Sequence, residues 1–152
     1  MRRARAFLLL PLLLSCSMIG GDDATWVERR LAEAPPRRDL LGYCAQAIAQ
    51  AGYPAPQVDE AQNAVVSDWR LELKPFAGTG RRFRARIELT GYEGNLAVLR
   101  SRVETEKNTE TGHPMENALA DWEKMPDDAQ RARVLLQHRV SLLQSCGAGG
   151  RQ

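Results

Sequence analysis

No stretch of this chain is apolar for long enough to cross a bilayer as a helix: the most hydrophobic, residues 6–14, is about half of the ~20 residues needed, and Pro11 interrupts it. Histidine is scarce. His113 and His138 stand alone, with no HxxxH or HExxH spacing and no neighbouring cysteine pair, so neither is expected to hold a metal. GxSxG, P-loop and GxGxxG motifs are missing, and Gly78-Thr79-Gly80 runs into Arg81-Arg82 between two strand patterns, so it is no phosphate cradle. The carboxylates are scattered over strand faces and helix starts. A nucleophile with its base, a metal set and a catalytic carboxylate pair all fail to assemble, and no enzyme, cofactor or metal is expected.

Lysine is also rare, since 18 of the 21 basic residues are arginine. Three of those arginines, Arg2, Arg3 and Arg5, precede the short apolar run with no acidic residue among them, which is the pattern of a cleavable export signal. Directly after it stands Leu13-Leu14-Ser15-Cys16. This tetrapeptide resembles the lipobox of bacterial lipoproteins, with an aliphatic residue at −3, a small residue at −1 and the cysteine itself.

The resemblance covers residues 1–16 and implies cleavage before Cys16, a diacylglycerol on its thiol and a fatty acyl chain such as palmitate on the new amino group. Two or more chains hold a protein stably on a membrane where one is marginal. Ser17 at +2 resembles lipoproteins sorted to the periplasmic face of an outer membrane. Removing residues 1–15 takes three positive charges, leaving 18 basic against 19 acidic residues, a net charge of −1. The basic balance of the whole chain therefore belongs to the signal, and no nucleic-acid partner is expected.

The expected organisation is a signal over 1–15, a lipidated tether over 16–23, one α+β domain over 24–146 and a disordered glycine-rich tail over 147–152. Residues 25–34 read as a helix ended by Pro35-Pro36. Asp39 can cap a second helix in which Leu41, Cys44, Ile48 and Ala51 form one stripe and Gly52 terminates. From 57 to 107 the period becomes two. Residues 57–60, flanked by Pro54 and Pro56, suit an edge strand. A longer strand over 65–74 puts Val65, Ser67, Trp69, Leu71 and Leu73 on one side; strands over 82–90 and 96–106 follow.

For those last two strands, hydrophobic and charge patterns select one register, in which paired numbers sum to 188 around a three-residue loop Glu93-Gly94-Asn95. Leu89 then faces Leu99 and Ala85 faces Val103 in the core. On the outer face Glu88 meets Arg100, Arg84 meets Glu104 and Arg82 meets Glu106, with Arg86 opposite Arg102 the one repulsive pair. Pro114 can open a short helix carrying Leu119 and Trp122, and Asp127-x-x-Gln130 resembles a capping box for a last helix, in whose apolar arc Arg139 snorkels. The fold expected is a two-layer sandwich, an antiparallel meander of three to four strands with N- and C-terminal helices on one face.

In an oxidising compartment, Cys44 and Cys146 are the remaining thiols, both in apolar helix arcs, and are expected to form a structural disulfide. Trp69 and Trp122 fit core positions, while Trp26, near the tether, is placed to meet a membrane interface or a partner. The function expected is a non-enzymatic binding or scaffolding lipoprotein that contacts another envelope protein or the cell wall. The alternative is a carrier holding a lipid or other small amphiphile between helices and sheet.

Overall fold

A computed structural model of the chain describes residues 24–137. Its elements in order are β1 (Val27–Leu31), α1 (Arg37–Gln50), β2 (Gln57–Asp59), β3 (Ala64–Val66), β4 (Arg70–Glu72), β5 (Arg81–Glu93), β6 (Leu96–Asn108), a 3-10 turn (Asn117–Leu119) and β7 (Trp122–Met125). A second helix, α2, occupies residues 129–137. The fold is α+β, and the strands form one antiparallel sheet of order β1-β6-β5-β3-β2, with β4 also on β5 and β7 also on β6.

Seven strands, not three or four, make this sheet among the described residues. The cause is the length of β5 and β6, 13 residues each, which lets each take two short partners end to end along its outer edge. β1 and β7 share the edge of β6, and β3 and β4 share that of β5.

The β5–β6 register is the one the charge pattern selects: Arg82 faces Glu106, Arg84 faces Glu104, Ile87 faces Ser101 and Leu89 faces Leu99. Beyond Leu89 a bulge at Thr90 shifts the pairing by one, so Glu93 faces Leu96 and the turn holds two residues, Gly94-Asn95, instead of three. Gly94 has φ 59°, a conformation glycine adopts without a Cβ clash.

The segment expected as a first helix is β1. Its partner edge, Ala97 to Ser101 on β6, would otherwise leave backbone donors and acceptors unpaired, and β1 supplies five residue pairs while setting Glu28 opposite Arg100. Leu31 goes into the core and is 8% exposed. Tertiary pairing thus overrides a weak local helix pattern.

α1 starts at Arg37 behind Pro36, so Asp39 sits in its first turn, favourable to the helix dipole, and is not the N-cap. Its C-terminus is a Schellman motif. The Tyr53 N–H donates to the Ile48 carbonyl and the Gly52 N–H to Ala49, with Gly52 at φ 81°.

The strand expected over 65–74 splits. Paired numbers with β5 sum to 152 in β3 and to 153 in β4. A slip of one residue sends every later side chain to the other face, so Val65 enters the core but Leu71, opposite Arg82, lies outside and is 41% exposed. At the break, the Ser67 hydroxyl accepts the Ala85 N–H (3.0 Å) and donates to the Asp68 carbonyl (2.8 Å), which satisfies a polar group inside the core.

The core lies between one face of the sheet and the two helices. Leu40, Leu41, Cys44 and Ile48 of α1 and Ala132, Leu135 and Leu136 of α2 close over Val65, Phe83, Ala85, Ile87, Leu99 and Val103. The Ser101 hydroxyl donates to the Ala132 carbonyl at 2.7 Å, tying α2 to the middle of β6. α2 is capped by Asp128, which accepts the Arg131 N–H at 2.9 Å. Asp127, expected in that role, instead turns to the outer face.

Candidate functional site

The sheet's other face carries Arg82, Arg84, Arg86 and Glu88 of β5 and Arg100, Arg102, Glu104 and Glu106 of β6. Arg82 pairs with Glu106 (2.5 Å) and Arg84 with Glu104 (2.5 Å), each directly across the strands. Glu88 receives Arg100 from across and Arg86 from its own strand, both at 2.5 Å. Arg102 reaches Glu104 at 3.2 Å and Asp127 at 3.0 Å. The repulsive Arg86–Arg102 pair is thereby resolved: each arginine finds a carboxylate two residues along its strand.

Tryptophan lies over this ladder at three points. Arg82 is held between Trp69 (4.4 Å to the ring centroid) and Trp122 (4.7 Å), and Arg84 also meets Trp69 (4.8 Å). Trp26 covers Arg100 (4.2 Å) and Arg102 (5.7 Å). A guanidinium over an indole face is attracted by the ring quadrupole. Carboxylates and indoles alternate with arginines in one continuous belt from Trp122 through Arg82, Trp69, Arg84, Glu104, Arg102, Trp26 and Arg100 to Glu88. Beside it a cleft of about 190 Å³ lies among Arg84, Arg102, Lys124 and Asp127.

The sequence reading put Trp69 and Trp122 in the core, and both are on this outer face instead. Trp69 follows the one-residue slip after β3. Trp122 belongs to β7, opposite Asn108, and the helix expected there shrinks to one 3-10 turn on which Leu119 is 50% exposed. A strand period through Trp122 and Lys124 was the available signal for β7. Trp26 stands outside the core, half-buried over arginines.

Electrostatics fit the geometry. Burial acts to raise the Glu88 carboxyl, but its bonds from Arg86 and Arg100 prevail and hold it below the ordinary glutamate value. On the helical side, burial raises the Tyr53 hydroxyl against the pull of Arg131. Arg131 lies over the Phe83 ring at 3.8 Å and pairs with Glu72 at 3.3 Å, beside a cleft of about 210 Å³ bounded by Tyr53, Val134 and Leu135.

Cys44 is buried on α1. Cys16 and Cys146, and with them the lipidation site and the Cys44–Cys146 bond, lie outside the described residues, as do the signal, the tether, His138, Arg139 and the glycine-rich tail. His113 is exposed with its Nδ1 3.3 Å from Glu116. Among the described residues no helix is long and apolar enough to cross a membrane, and no group of three or more histidines, cysteines or carboxylates is arranged to hold a metal ion.

No protein-family model and no curated protein matches the chain. Among solved structures, a TBP-like protein from Parabacteroides distasonis aligns over 84% of this chain and 90% of its own, at 8% sequence identity and a TM-score of 0.39. A likeness that faint carries neither fold nor function across.

Proposed function

We propose that the protein is an envelope lipoprotein, anchored through Cys16 to the periplasmic face of an outer membrane, whose two-layer α+β domain binds or scaffolds and does not catalyse. The partner is another envelope protein or the cell wall, met by the outer face of the sheet. The supporting observation is the belt. Tryptophan and arginine are the residue types most enriched at the energetic centres of protein interfaces, and here stacking already fixes their rotamers. Side chains immobilised before contact lose little entropy on binding. Every arginine of the belt also has a carboxylate neighbour, which suits recognition by shape and aromatic surface better than capture of a lone anion.

The filled core supports this reading over the carrier. Leu40, Ile48, Val65, Ile87, Leu99 and Leu135 are each less than 2% exposed between sheet and helices. Clefts of about 540 and 670 Å³ are lined by charged side chains, Arg37, Arg38 and Glu60 in one and Asp59, Asp68 and Arg84 in the other, while the apolar cleft by Tyr53, about 210 Å³, is smaller than the roughly 300–1,000 Å³ typical of ligand sites.

A photo-reactive side chain placed at Leu71, on the outer face, should capture one discrete envelope component in intact cells, and Trp69→Ala should abolish the capture. The same probe at Gln46, exposed on α1, should not capture it. Equal products from both positions, or none from Leu71, would refute the proposal.

A further inference from the structure

A second feature stands at one end of the sheet. Residues 109–121 form a closed loop. The Thr109 N–H donates to the Asp121 carbonyl at 2.8 Å, and the Thr109 hydroxyl meets the same carbonyl at 3.1 Å. Asn108, 1% exposed, fastens it from inside: its side-chain amide donates to the Pro114 carbonyl (3.1 Å), and its side-chain oxygen accepts from Glu110 N–H (3.0 Å) and Asp121 N–H (3.2 Å). Compact loops with joined ends are frequently functional.

This rigid loop nevertheless leaves Met115 54% and Leu119 50% exposed. The turn between β4 and β5 stands at the same end, since the Asn108 N–H bonds the Gly80 carbonyl, and at its tip Phe76 is 74% exposed. Three large apolar side chains thus project from two adjoining connections. Chance exposure of single residues is ordinary, but apolar groups displayed together by a pinned loop mark a contact.

The position of the N-terminal strand says with what. Val27 faces Ser101 and Leu31 faces Ala97, so β1 runs from mid-sheet away from Asn108, and the residues before it lead toward the Asn108 end. On the way, the Thr25 N–H is bonded to Asp127, two residues past the end of β7 and level with Val103, whose carbonyl accepts the Asp128 N–H. Cys16 precedes Thr25 by nine residues, a reach of up to about 30 Å when extended. From Val103, level with Thr25, to Asn108 along β6 is about 17 Å. A lipid on Cys16 is therefore within easy reach of the end that displays Phe76, Met115 and Leu119.

We infer that Phe76, Met115 and Leu119 dip into the interface of the bilayer that holds the anchor, so that the domain stands on the membrane by this end with its arginine–tryptophan face turned sideways. The inference rests on the lipoprotein reading proposed above. Residues 109–121 carry Glu110, Glu116 and Asp121, and the β4–β5 turn adds the single cation Lys74, so the contact is apolar insertion and not attraction to anionic headgroups.

The full-length lipidated protein, reconstituted in phosphatidylethanolamine–phosphatidylcholine vesicles containing an acyl-chain diazirine lipid, tests this by mapping the photolabelled peptides. Label is expected in residues 75–79 and 113–119, unchanged by adding phosphatidylglycerol, and at least tenfold lower in Phe76→Ser/Met115→Ser/Leu119→Ser; these positions are exposed, and an unchanged melting curve confirms the variant's fold. Label confined to the anchor, or spread over α1, overturns the inference, as does cross-linking of this end to a protein in native envelopes. Radiolabelled palmitate uptake by wild type and by Cys16→Ser is measured in parallel. Uptake with unlabelled loops overturns only the standing geometry; no uptake by wild type overturns the lipoprotein reading and this inference together.

Discussion

Replacing Arg82 with alanine tests whether the belt is a set of working contacts. The guanidinium lies 4.4 Å from the Trp69 ring and 4.7 Å from that of Trp122, and its Nε donates to Glu106 at 2.6 Å. Each stack should contribute about 0.5–1 kcal/mol. The ion pair, with side chains 24% and 20% exposed, should add about 0.5–1 kcal/mol, since it is less screened than a free surface pair. The expected loss is about 1.5–3 kcal/mol. Urea unfolding followed by far-ultraviolet circular dichroism reads it as a lower midpoint with the slope unchanged. Arg82→Lys keeps the charge but gives up the planar guanidinium, so it should recover less than half the loss. In a double-mutant cycle, Arg82→Ala and Trp69→Ala should couple by about 0.5–1 kcal/mol. A lysine variant as stable as wild type, or additive single losses, would refute the stacking argument and leave only a solvated charge.

The Glu88 carboxyl is held below its ordinary value of 4.5, so the stability it supplies is present above that pH and disappears as pH falls through the lowered folded-state value. Glu88→Gln should therefore melt lower than wild type at neutral pH and show a shallower loss below about pH 4.5, as thermal melts from pH 3 to 7 will show. Asn108→Ala removes three hydrogen bonds and should destabilise by about 1–3 kcal/mol while making residues 109–121 the first site of limited proteolysis; an unaltered cleavage pattern would mean the loop holds itself. The expected Cys44–Cys146 bond predicts no thiol labelling of the native protein before reduction and a loss of about 2–5 kcal/mol after it. Ready labelling of both cysteines in the unreduced protein would dismiss the bond.

What was legible in the sequence was what a repeating pattern over-determines. β5 and β6 offer alternation over 13 residues each, and hydrophobic and charge patterns agree on one register, which is the register observed. α1 has a four-point apolar stripe and a glycine where the left-handed turn falls. Failures came where the pattern was one residue wide. Trp26, Arg30 and Leu31 suit a helix face, yet Val27, Arg29 and Leu31 suit a strand, and five residues do not separate the two periods; the open edge of β6 decides. The alternation through Val65 and Trp69 is unbroken on paper, but a slip after Val66 reverses it and carries a tryptophan from the expected core to the belt. Asp127 and Asp128 are chemically alike neighbours, and only the hydrogen bonds assign one to Arg102 and Thr25 and the other to the cap.

The one repulsive pair of the register explains why the belt is continuous. Had Arg86 faced a glutamate, each cross-strand pair would have closed on itself. Because Arg86 faces Arg102, both must turn along their strands, Arg86 to Glu88 and Arg102 to Glu104. Those carboxylates are already engaged by Arg100 and Arg84 from across, so two isolated pairs become two shared triads. Arg102 extends one triad to Asp127, which also accepts the Thr25 N–H; Trp26 bridges the two triads through Arg100 and Arg102, and Trp69 joins the Arg82–Glu106 pair to one of them through Arg84. Groups in one network restrain one another's rotamers beyond what separate pairs achieve. A mismatch that costs something as a pair thus stiffens the face as a whole, and stiffness is what a surface that binds without rearranging requires.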